Sequence, residues 1–192
     1  MIIFFLSHYL YKTKGLILKK RDCGESGKIY SFFTEEYGRV EVFAQGARFL
    51  KSKLRYSLDG ISLIKICFIG SAGDLWKLID ASEDISLSEV RGDSNKLQTA
   101  VIIFNFIDRL VRGQEADNFL WTIIEESLLF LENSDFARDS LKDFELLTKL
   151  RVLAQLGYVD DCDKAKYLFP NSSFSRDNLI LAINRALKES QL

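Results

Sequence analysis

The sequence predicts an α+β chain of two domains, a five-stranded β-barrel over residues 1–80 and an all-α domain over 96–192, joined by 81–95. Two observations carry this. Apolar residues fall in short alternating runs through the first 80 residues and recur with helical period from about residue 96. The charge changes sign at the same place. Residues 1–80 hold 13 Lys+Arg against 8 Asp+Glu, net +5; residues 81–192 hold 13 against 19, net −6; together they give the −1 of the whole chain.

The runs "GLILKK", "KIYSFFT", "RVEVFAQ", "GISLIKICFI" and "DLWKLID" are β-branched or aromatic and bounded by Gly, Asp and Ser, as strands are. In the third, Val40, Val42 and Ala44 share one face while Arg39, Glu41, Phe43 and Gln45 share the other. Gly38 offers a tight turn before it, so the second and third strands form a hairpin. Five such strands, with one longer connection between the third and fourth, suit a small closed barrel of the oligonucleotide-binding (OB) type.

Beyond it, Leu97, Ala100, Val101, Phe104 and Ile107 follow a helical stripe that stops near Gly113. A second helix over about 117–132 lines up Leu120, Ile123, Ile124, Leu128 and Leu131. A third over 140–156 lines up Phe144, Leu147, Leu150, Leu153 and Leu156, with Gly157 as the residue after its C-cap. A fourth covers 177–188, after the only proline, Pro170. The polar, acidic "ASEDISLSEVRGDSN" reads as the joint between the domains.

Most chemistries find no purchase here. Cys23, Cys67 and Cys162 lack metal-ligand spacing, and an odd count argues against a disulfide framework. "DCGESGKIY" imitates a phosphate-binding loop, but that motif needs Gly where Asp22 stands and Ser or Thr where Ile29 stands. His8 is the only histidine, so no nucleophile–base–orienter set can be assembled. We therefore expect no catalytic residues, no enzyme activity and no bound metal. The apolar run of the N-terminal "MIIFFLSHYLYK" lacks a basic flank and a cleavage site and is far shorter than the roughly 20 residues a bilayer needs. A soluble, cytoplasmic protein is expected, that segment being an extra strand or an upstream start.

One stretch is lopsided. "GARFLKSKLRY" carries Arg48, Lys51, Lys53 and Arg55, and no acid occurs between Val42 and Leu58. Cations without competing carboxylates suit phosphate contacts. Lys19, Lys20 and Arg21 end the first strand, and Lys28 and Arg39 fall near them in a barrel. Tyr30, Phe32, Phe43, Phe49 and Tyr56 interleave, and those left exposed can stack on bases. The cations suit nucleic acid; an acidic protein surface is the alternative ligand.

The stretch from Thr13 to Gly70 also resembles the N-terminal domain of the RecO family of bacterial recombination mediators. The resemblance rests on the Gly and apolar run at 15–18, the acidic-Gly-Glu-Ser turn at 22–26, the Phe-Thr-x-x-x-Gly hairpin at 33–38, and the Gly-Ala-Arg-x-x-x-Ser-Lys segment at 46–53. It continues more loosely through "FNFIDRLVRG" and "FELLTKLRVLAQLGY", covering about 12–170. It implies an OB barrel followed by a helical domain, and a non-enzymatic protein of DNA damage repair that binds single- and double-stranded DNA and anneals complementary strands. It further implies help in loading RecA onto DNA coated by single-strand-binding protein, with RecR and sometimes RecF as partners, in the nucleoid. The acidic tail of single-strand-binding protein is another implied contact, for which Arg109, Arg112 and Arg151 of the helical half are candidate rim residues. The Gly-Ala-Arg match falls on Arg48, Ser52 and Lys53. Many relatives carry a four-cysteine zinc site after the "LGY" helix; here only Cys162 stands there, and the segment between 167 and 177 is too brief for that module, so no zinc is expected.

Overall fold

The computed structural model describes residues 9–49, 52–70, 75–159 and 175–189. The readings placed on His8, Lys51, Cys162 and Pro170 lie outside them. The chain divides into two compact units, Met1–Ser86 with Val111–Ala116, and Leu87–Leu110 with Asp117–Leu192.

The first unit is a closed barrel of β1 (Leu10–Cys23), β2 (Gly27–Thr34), β3 (Gly38–Ala44), β4 (Ser62–Ile69) and β5 (Leu75–Ser86). The strand order is β1-β2-β3-β5-β4, closing on β1, and only β3 and β5 run parallel. Closure needs one strand long enough to pair on both sides. The 14-residue β1 does so, its first half against β4 and its second against β2. Alternation then fills the inside with Tyr30, Phe32, Val40, Val42, Ala44, Ile64, Ile66 and Phe68. Tyr11, Tyr37 and Trp76 pack on Phe68 with ring centroids 5.2–5.8 Å apart, mostly edge to face. The short helix α1 (Lys53–Leu58) follows β3 and gives Leu58 to this core.

One irregularity decides which side chains face out. Ile17 pairs with Phe32 in the barrel interior, but a register shift makes Lys19, not Leu18, the partner of Ser31. Strict alternation from Ile17 would send Lys19 and Arg21 inward. The bulge at Leu18 turns them to the outer face.

The barrel unit also recruits residues from beyond the next helix. Val111–Ala116 lies along the β2–β3 turn, where the Arg39 amide donates to the Gly113 carbonyl at 3.0 Å and Arg39 Nη1 to the Val111 carbonyl at 3.2 Å. Gly38, at φ +57°, leaves no room there for a side chain: a Cβ would sit 2.3 Å from the Glu115 carbonyl oxygen.

The second unit contains α2 (Ser88–Gly92), α3 (Ser94–Leu110), α4 (Asn118–Asn133), α5 (Arg138–Gln155) and α6 (Arg176–Glu189). The expected stripe of α4 is buried throughout. Of that of α3, Ala100, Phe104 and Ile107 are buried as expected and Lys96, Thr99 and Ile103 join them, while Leu97 is half-buried and Val101 is exposed. In α5, Leu150 and Leu153 are buried as expected, whereas Phe144, Leu147 and Leu156 are half-buried and Thr148 and Val152 join the core. Asp117 caps α4 by accepting from the Leu120 amide at 2.9 Å. Gly157 ends α5 as read: its amide donates to the Ala154 carbonyl and the Tyr158 amide to that of Leu153, the paired bonds of a Schellman motif.

The segment read as a joint is ordered. β5 continues to Ser86, and α2 follows at once. A five-residue helix is too short to show periodicity, and it is held from a distance: the Glu132 carboxylate accepts from Ser88 Oγ and the amides of Glu89 and Val90. Burial pushes the Glu132 carboxyl up, but those bonds and the Lys96 charge outweigh it and hold the group below its ordinary value. No helix among the described residues is long and apolar enough to cross a membrane.

Candidate nucleic-acid interface

The "DCGESGKIY" segment is the β1–β2 hairpin turn. From it hangs the basic loop after β3. Gly46 turns the chain at φ +72°, the Arg48 amide donates to the Ser26 carbonyl at 3.1 Å, and Arg48 Nη1 donates to the Gly24 carbonyl at 3.0 Å. Arg48 is thus a clasp that draws residues 46–49 against the hairpin tip.

The stretch is acid-free in sequence but not in space. Asp22 pairs with Lys28 at 3.8 Å and Arg48 at 4.0 Å. Asp59 pairs with Lys20 and Arg55, each at 3.4 Å. Glu41 pairs with Arg21 at 3.3 Å. Three carboxylates therefore hold five cations in place and neutralise them only in part. Lys19 and Lys53 are exposed and make no ion pair among the described residues.

Asp59 is the hub between β1 and α1. Burial pushes its carboxyl up, but the hydrogen bond from Arg55 and the charge and hydrogen bond of Lys20 prevail and hold it below the usual carboxylate range. Burial, then the charges of Asp59 and Asp22, push the Tyr30 hydroxyl beneath them up to about 12. A depressed folded-state value means that Asp59 stabilises the barrel above its unfolded value, near about 4, and that this contribution is lost as pH falls through the folded value. All three partners are more than a third exposed, so the contribution is under about 1 kcal/mol. Asp59→Asn is expected to lower stability by that amount in urea unfolding at about pH 7, and the difference from wild type should shrink as pH falls below the unfolded value and through the folded one; a difference independent of pH across the acid range refutes the linkage.

Lys19, Lys20, Arg21, Ser31, Arg39 and Glu41 line an outer-face cleft of about 100 Å³ over Ile29. Ser31 and Glu41 were not candidates from sequence; only strand pairing sets Ser31 opposite Lys19 and Glu41 opposite Ser31, within 3.3 Å of Arg21. Arg39 reaches this cleft while bound to the Val111 carbonyl. Of the aromatics, Tyr30 and Phe32 are core, Phe43 is half-buried, and Phe49 and Tyr56 are 63% and 80% exposed. The aromatics left exposed beside the basic loop and α1 are therefore Phe49 and Tyr56. Arg112 falls in the barrel unit rather than the helical half, Arg109 is exposed on α3, and Arg151 is paired with Glu126 at 3.3 Å.

The strand order, the single parallel pair and a helix between β3 and β4 define an OB-fold protein, here with a cationic outer face. Residues 8–82 match the family described as recombination protein O, N terminal. Over 151 residues the chain is 27% identical to the DNA repair protein RecO of Thermodesulfovibrio yellowstonii, covering 79% of this chain and 59% of that one. The RecO proteins of an Exiguobacterium species and a Thermoanaerobacter species are each 28% identical, over 77% and 80% of this chain and 57% and 60% of theirs. The chain is similar to RecO proteins, with residues 8–82 matching the family's N-terminal domain, and it spans about three fifths of the length of these relatives.

Proposed function

We propose that the chain is a non-enzymatic DNA repair and recombination mediator whose barrel holds the nucleic-acid backbone. The observation that carries this is the gathering of Lys19, Lys20, Arg21, Lys28, Arg39, Arg48, Lys53 and Arg55 on one barrel, five of them paired with Asp22, Glu41 and Asp59, with Phe49 and Tyr56 exposed beside them. Such a surface grips phosphates of single- and double-stranded DNA with little regard to sequence. Neutralising two backbones lowers their repulsion, which supports annealing of complementary strands. The kinship to RecO proteins supports the rest of the reading: loading of RecA onto strands coated by single-strand-binding protein, with RecR and in some settings RecF, in the cytoplasm at the nucleoid. The helical unit then takes protein partners, including the tail of single-strand-binding protein, and no zinc is required.

The test is fluorescence anisotropy of a labelled single-stranded oligonucleotide over a salt series. The logarithm of the binding constant should fall steeply with log salt, by about 0.7 per neutralised phosphate. Binding unmoved by salt, or absent at low salt, would falsify this reading. A second reading has its own support: the same cations already accept carboxylates, so the barrel can serve as an adaptor for an acidic protein surface. It leads if an acidic polypeptide binds under conditions where the oligonucleotide does not.

A further inference from the structure

Ser31 is 4% exposed, and its Oγ is buried with no hydrogen-bond partner among the described residues. A buried hydroxyl is ordinarily paired, because it has given up water and received nothing in return. The register places Ser31 between Lys19 of β1 and Glu41 of β3, its side chain on their outward face. Lys19 has no carboxylate partner among the described residues, and Glu41 is held to Arg21 at 3.3 Å. An idle donor, an idle ammonium and a guanidinium thus surround one carboxylate in a cleft of about 100 Å³. That volume far exceeds the ~15 Å³ that admits a single water. The tetrahedral anion such donors suit is a phosphate group.

We propose that this cleft is a seat for one backbone phosphate of a bound nucleic-acid strand, and that Glu41 is the resident anion which the phosphate displaces. On binding, Glu41 turns to solvent and Arg21 transfers to the phosphate. Lys19 closes on it from β1, and Ser31 Oγ donates the hydrogen bond it lacks in the free protein. The seat rests on the nucleic-acid reading and adds to it a gate, a carboxylate that occupies the site until a better anion arrives. The Leu18 bulge is its structural condition, since it aims Lys19 and Arg21 outward.

The full chain is tested with the same labelled oligonucleotide over the same salt series. Ser31→Ala should bind about ten- to a hundredfold more weakly, the share of one hydrogen bond to a charged group, with the salt slope unchanged because no charge is lost. It should melt at or above wild type, because an unpaired buried hydroxyl has been removed; a purely structural Ser31 would melt lower. Glu41→Gln should bind about two- to fivefold more tightly, the release of one exposed ion pair, with the slope steeper by about 0.7. If wild type binds but either variant binds as wild type does, or if Ser31→Ala melts well below it, the seat is overturned and the nucleic-acid reading stands. If wild type does not bind the oligonucleotide, both fall. A parallel titration with inorganic phosphate, read at the Ser31 amide by NMR, separates the sources of the anion. A shift with phosphate and none with the oligonucleotide overturns the assignment to a strand.

Discussion

Lys19→Ala combined with Lys53→Ala is expected to weaken binding of a single-stranded oligonucleotide roughly 25-fold near 0.1 M salt and to flatten the salt slope by about 1.4. The reason is the state of these two ammoniums in the free protein. Both are exposed and unpaired among the described residues, so each is ready to release a counterion from DNA, at about fivefold per phosphate near that salt. Removing them costs the fold almost nothing, and the melting temperature should stay within a few degrees of wild type. Arg48 is a poorer probe, although the basic stretch first drew attention to it. Its side chain ties the loop to the Gly24 carbonyl, so Arg48→Ala alters the position of the loop as well as its charge. An unchanged slope in the double variant would show that the backbone passes elsewhere on the barrel.

Gly38→Ala should be the most damaging small substitution in the barrel, at about 3 kcal/mol or more. A left-handed backbone costs a non-glycine residue about 1–2 kcal/mol, and forced overpacking adds about 1–3 kcal/mol. Here the obstruction is backbone: the new Cβ would lie 2.3 Å from the Glu115 oxygen and 2.8 Å from its carbonyl carbon, with no flexible tip to yield. For a domain of this size the melt of the β2 and β3 amide signals should fall by roughly 12–24 °C. Gly24→Ala is the matched control, with a similar φ of +64° and nothing within 4 Å of its Cβ. It should lose only the conformational share. Equal losses at the two positions would show that contact with residues 111–116 contributes nothing.

The barrel could be read because half-buried strands alternate, and β3 does so without exception: Val40, Val42 and Ala44 lie within, Arg39, Glu41 and Phe43 without. The cations could be named because a run without acids stands out in a balanced chain. Their partners could not. Asp59 lies 39 residues from Lys20, and Glu41 lies 20 from Arg21, distances only strand pairing abolishes. Nor does alternation announce an inserted residue, so the outward turn of Lys19 and Arg21 at Leu18 could not be seen. In α3 the apolar count found Ala100, Phe104 and Ile107 but not Lys96 or Thr99. Lys96 is buried because its ammonium donates to the Glu132 carbonyl at 3.3 Å, a bond no local pattern encodes, and Val101 is left outside.

The strap of Val111–Ala116 bears on how the protein is made. A ribosome adding about 5–20 residues per second finishes all five strands by Ser86, yet the carbonyls that receive the Arg39 amide and guanidinium have still to be synthesised. The nascent barrel must wait, with its β2–β3 turn uncovered, until α3 and the six residues after it have left the exit tunnel. Completion of the first domain is thereby timed by translation of part of the second. A gene fragment cut after the last strand would encode every β-pairing and still lack the segment that covers Gly38.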